Sequence, residues 1–82
     1  MDLITIIGVA GALIILAAFF LNETHRISED SLVYDGMNLV GSFLLIVYAI
    51  ALNSLPFLVL NGVWFAIALR DVIIDLKNNK KS

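Results

Sequence analysis

The chain has 82 residues, 61% of them hydrophobic and 15% charged, with a mean hydropathy of +1.00. A soluble domain of this size buries only about 60% of its surface and needs polar residues to cover the rest, so the composition points to a membrane protein. The net charge of −2 comes with no basic stripe, no cysteine and a single histidine, His25, which excludes nucleic-acid binding, disulfides, thiolate sites and the usual zinc spacings.

Residues 3–21 form an uninterrupted uncharged run. At 1.5 Å per residue it crosses a hydrocarbon core of roughly 30 Å. It lacks the basic start of a signal peptide, since Asp2 follows Met1, and is expected to be a retained span. The connection "NETHRISED" follows, with Ser28 the expected N-cap of a second helix and Glu29 and Asp30 set against its positive end. The second span covers residues 31–52. Asn53 and Ser54 make a short turn and Pro56 suits the first turn of the next helix, so the second and third helices should be antiparallel neighbours. The third span covers residues 55–74, with Arg70 and Asp71 close enough to its end to snorkel, before the polar tail "KNNKKS".

The expected fold is an all-α membrane protein, one domain over residues 1–76 with three transmembrane helices and a polar tail at 77–82. All the basic residues, Arg26, Arg70, Lys77, Lys80 and Lys81, fall on one side of such a bundle. The positive-inside rule then puts the N-terminus outside and the tail in the cytoplasm. Three helices about 10 Å across cannot enclose a substrate-sized aqueous path, so any transport requires an oligomer.

In the second span Asp35, Asn38 and Ser42 share one helix face, which must turn to protein or water. They read either as a polar cavity lining, with Asp35 a proton site, or as helix-end solvation and interhelical hydrogen bonding. In the third span Asn61 and Trp64 lie on one face, continued by Ala68. Asn61 reads as pore-facing or as structural glue, and Trp64, near mid-membrane, as a stacking ring or a packing ring. Tyr48 reads as a gate or an interfacial anchor. Small residues at packing spacing, Gly8 and Ala12 with Gly11, and Gly62 with Ala66, suit close helix contacts, and Gly36 and Gly41 suit packing or bending. Asp71 and Asp75, one turn apart at the helix end, read most simply as solvated, and His25 and Arg26 as solvated loop charges.

The stretch "IVYAIALNSLPFLVLNGVWF" (46–65) resembles the central part of the SemiSWEET sugar transporters, half-size members of the PQ-loop superfamily. Tyr48, Leu55, Pro56 and Asn61 stand at matching positions, and the resemblance implies a parallel homodimer in which Asn61 contacts the substrate. The chain departs from that family in lacking its Pro-Gln hinge, where Asn22 and Glu23 stand. Leu45 replaces its stacking tryptophan, and Leu52 and Ser54 its charged outer gate. "MNLVG" (37–41) and "LNGVW" (60–64) are similar to an uncharacterised bacterial group of small three-span proteins, and that similarity singles out Asn38, Gly41, Asn61 and Trp64.

Together these readings lead to a homodimeric transporter or facilitator in the bacterial inner membrane, taking a small neutral or polar solute without a cofactor or metal. Asn61, Trp64, Asn38 and Ser42 are its candidate substrate-binding residues, and Tyr48 and Asp35 its candidate gate and proton site. A non-transporting interaction or accessory protein and a holin-like pore former are the alternatives. An enzyme is not expected, since no nucleophile with its base and no deep carboxylate pair is found.

Overall fold

A computed structural model of the chain describes residues 2–27 and 31–77. It consists of three helices, α1 (Leu3–Glu23), α2 (Leu32–Ala51) and α3 (Leu55–Lys77). Each is long and apolar enough to cross a membrane. The bundle measures 37 × 23 × 17 Å, its long dimension set by the helix length.

The starts of the helices and the ends of α1 and α2 have local causes. The Asp2 carboxylate caps α1, accepting from the Thr5 N–H at 2.8 Å. That hydrogen bond, made through the Thr5 backbone, holds the Asp2 carboxyl below its ordinary value of 3.8. The α2 cap is Ser31, whose hydroxyl accepts from the Tyr34 N–H at 3.1 Å. Ser28, the expected cap, lies outside the described residues. Both α1 and α2 stop in the same way. After α1, His25 takes a left-handed conformation (φ 61°), donating to the Asn22 carbonyl, while Arg26 donates to that of Leu21. After α2, Asn53 does the same (φ 58°), with its N–H on the Ile50 carbonyl and that of Ser54 on Ala49. These paired bonds satisfy the orphan carbonyls of a helix end, a geometry usually given to glycine. His25 is therefore part of a helix stop. Pro56 sits in the first turn of α3, as expected.

α2 is the hub. It packs against α1 on one side and α3 on the other, and α1 and α3 do not pack on each other. Gly11 and Gly41 bring the α1 and α2 backbones together: a Cβ on Gly11 would stand 2.8 Å from the Gly41 carbonyl oxygen. Gly8 lies under the Tyr48 ring, and Ile15 packs on Gly41. Close approach through small residues is how helices gain dispersion contact where lipid is as apolar as the side chains. The pair Gly62 and Ala66 does not serve this purpose within the chain. Ala66 is exposed, and a Cβ on Gly62 would meet nothing within 4 Å. The same holds for Gly36.

The distribution of polarity is inverted relative to a soluble protein. Among the described residues the buried positions are small or polar, including Ala18, Ala49, Ala68, Ser31, Asp35, Asn38, Ser42, Asn61 and Asp75. Leu13, Leu16, Phe19, Phe43, Ile50 and Leu60 are all more than half exposed. Polar groups inside and large hydrophobics outside suit a hydrocarbon solvent. The protein is a membrane protein by this measure.

Candidate functional site

The α2 and α3 sides of the hub are joined by hydrogen bonding. The Trp64 indole Nε1 donates to the Asn38 Oδ1 at 3.1 Å, and the Asn38 Nδ2 donates to the Tyr34 carbonyl one turn back at 2.9 Å. Asn38 thus acts in both directions, as acceptor across the seam and donor along its own helix. Asn61 repeats half of the arrangement, with its Nδ2 on the Phe57 carbonyl at 2.9 Å. The Ser42 hydroxyl donates to the Leu39 carbonyl at 3.1 Å.

Stepping three and four residues from the Asn38–Trp64 bond gives the antiparallel register of the seam. It sets Ser42 opposite Asn61 and Leu45 opposite Phe57 in one direction, and Asp35 opposite Ala68 and Ser31 opposite Asp71 in the other. Buried Asp35, Asn38 and Ser42 of α2 and Asn61 and Ala68 of α3 lie on this ladder. A polar seam in hydrocarbon survives only when its groups find partners within the protein, and these asparagines do.

The expected site residues therefore divide into two groups. Asn38 and Trp64 are brought together and border open space on two sides. Ser42 is fully buried and Asn61 is 5% exposed, so both are sealed within a single chain. Tyr48 is half-buried, its ring over Gly8 and edge-on to Phe57 with centroids 6.2 Å apart. That contact makes it a packing residue between helices. Asp35 lies in the first turn of α2, 5% exposed.

Two cavities meet at the Asn38–Trp64 pair. A recess of about 170 Å³ lies between α2 and α3 at the end of the bundle that carries the 22–31 connection, and Asp35, Ala68 and Asp71 line it with Tyr34, Asn38 and Trp64. A trough of about 570 Å³ runs between α1 and α3 over α2, with walls of Ala12, Ile15, Leu16, Phe19, Leu45 and Phe57. Tyr34, Asn38 and Trp64 line both.

Two features of this end were not legible beforehand. Asp75 is 3% exposed, so the expectation of simple solvation does not hold for it. Its position on the ladder with Asn61, Trp64, Ala68 and Asp71 was the available signal. Arg70 does not reach away from the helix alone: its guanidinium pairs with the Asp71 Oδ1 at 3.1 Å. No group of three metal-ligating side chains occurs among the described residues.

A protein-family model matches residues 4–77, nearly the whole chain, so the protein belongs to that family, whose activity is uncharacterised. No curated protein and no solved structure matches it.

Proposed function

We propose that the protein is a homodimeric membrane transporter or facilitator that binds a small polar solute at the Asn38–Trp64 pair. The observation that carries this reading is the recess beside that pair. It holds an oriented amide, an indole ring, Tyr34 and the carboxyl groups of Asp35 and Asp71 within an otherwise apolar chain. A concave site with a few convergent polar groups is the usual form of a small-molecule site. Three helices leave the trough open on one side, and a second copy facing it across a two-fold axis would close a passage. Asn38 and Trp64 are the solute contacts in this proposal, while Ser42 and Asn61 stiffen the wall behind them. In this proposal the membrane is the bacterial inner membrane, and the excess of basic residues at the end carrying the 22–31 connection supports a cytoplasmic side for that end. The likeness to SemiSWEET transporters in residues 46–65 accords with this reading.

Swelling of proteoliposomes in glycerol and glucose gradients tests it. Faster swelling than empty liposomes for at least one solute, reduced by Trp64→Ala, is the expected result. Rates equal to empty liposomes for both, or a strictly monomeric protein in the bilayer, would end the proposal. The second reading is a non-transporting interaction or accessory protein. It is favoured by the sealing of Ser42 and Asn61, which are buried in the α2/α3 seam with their side chains bonded to their own helices and so are not presented to a solute.

A further inference from the structure

Asn38 and Trp64 meet the two cavities with much of their hydrogen-bonding capacity already used inside the chain. The indole has a single donor, and it goes to the Asn38 Oδ1. Asn38 gives an amide N–H to the Tyr34 carbonyl, and only 7% of the residue is exposed. Of the acids lining the recess, Asp71 is paired with Arg70 and Asp35 is 5% exposed. The third residue that lines both the recess and the trough is Tyr34. Its backbone is committed on both sides, the N–H donating to the Ser31 hydroxyl at 3.1 Å and the carbonyl accepting from Asn38 at 2.9 Å. Its side chain is the reverse. The residue is half-buried, and its hydroxyl bonds to no other described residue. A phenol both donates and accepts, and leaving it without a partner in an apolar surrounding is unfavourable.

From this accounting we infer that Tyr34 is a solute contact and a specificity-determining residue, its hydroxyl supplying the hydrogen bond at the junction of recess and trough that the Trp64 indole has already spent within the chain. This role rests on the Asn38–Trp64 pair being the solute site and adds the group by which that site favours a hydrogen-bonding solute. The spacing of Asp35, Asn38 and Ser42 along α2 does not single Tyr34 out, because its part comes from the meeting of the two cavities. The Ser31 cap and the Asn38 amide fix its backbone, so the ring is presented from a preorganised point. Tyr48, the other tyrosine of the chain, is the internal contrast. It packs between Gly8 and Phe57 and lines neither cavity. Loss of its hydroxyl is the same chemical change away from the site.

With only two tyrosines, the full-length protein carrying 3-fluorotyrosine gives one fluorine resonance for each in bicelles, assigned with Tyr34→Phe and Tyr48→Phe. Titration with glycerol and, separately, with glucose should shift the Tyr34 resonance saturably for at least one of them and leave that of Tyr48 in place. In proteoliposomes Tyr34→Phe should slow swelling in that solute about three- to tenfold, the worth of one neutral hydrogen bond, and Tyr48→Phe should leave it unchanged. No shift at Tyr34 with either solute, or equal shifts at the two tyrosines, would overturn the inference. So would swelling by Tyr34→Phe as fast as by the parent protein, a result that leaves the transporter standing. A saturable shift confined to Tyr34, with no swelling by the parent protein, keeps the contact and removes transport.

Discussion

The two sides of α2 solve the same problem by different means. Against α1 the contact is dry and close, built on Gly8, Gly11 and Gly41, with backbone against backbone. Against α3 it is a ladder of polar side chains in which Trp64 bonds to Asn38 from helix to helix. In hydrocarbon neither seam gains from expelling water, so the first relies on dispersion at short range and the second on hydrogen bonds that lipid cannot supply. The difference teaches where variation is tolerated. The α1 seam rejects added atoms, and the α3 seam rejects lost partners.

Three substitutions test the tight α1 seam against positions outside it, beginning with the largest expected effect. Gly11→Ala puts a methyl 2.8 Å from a backbone carbonyl oxygen and 2.9 Å from the Leu44 Cβ, so the helices must part. Reversible unfolding in bicelles should register a loss of about 2–3 kcal/mol, in line with overpacking. Gly62→Ala, with open space around it, should instead be neutral or stabilising by up to about 1 kcal/mol from helix propensity. Equal losses at the two glycines would mean that the α1 crossing is not the tight one. Asn53→Gly relieves a left-handed asparagine and should stabilise by about 0.5–1 kcal/mol, a check that the α2 end is formed as described.

The smallest effect concerns Asp2. Its carboxyl titrates below 3.8 in the folded chain, so the stability it lends the first turn is fully present above that value. It is lost as pH falls through the lowered one. The Thr5 amide resonance should titrate with it, and Asp2→Asn should leave that resonance insensitive to acid. A Thr5 resonance that titrates in both proteins would remove the cap from the account.

Much of this architecture was written plainly in the chain. Long, predominantly apolar runs set the three helices within a few residues, because length and hydropathy decide what can cross a bilayer. The turn at Asn53 and Ser54 was equally direct. Partner choice was harder to read. The spacing of Asp35, Asn38 and Ser42 marks a shared face but does not say whether that face meets a cavity, a neighbour within the chain or a second copy. Asn38 and Ser42 have the same helical phase, yet one borders two cavities and the other is sealed. The reason is tertiary, since the recess and the trough both border Asn38 whereas Ser42 has no exposed surface. Gly8 and Gly62 likewise sit in similar small-residue pairs, and only packing distinguishes them. Asp75 was misread because its closeness to the helix end outweighed its place on the ladder.

The central claim is that Asn38 and Trp64 hold α2 to α3 within one chain. A double-mutant cycle of Asn38→Ala and Trp64→Phe, read by reversible unfolding in bicelles, tests it most directly. A coupling of about 0.6–1.7 kcal/mol is predicted, the range found for side-chain hydrogen bonds between membrane helices. Strictly additive losses would contradict it and would turn the Asn38 amide toward something other than Trp64.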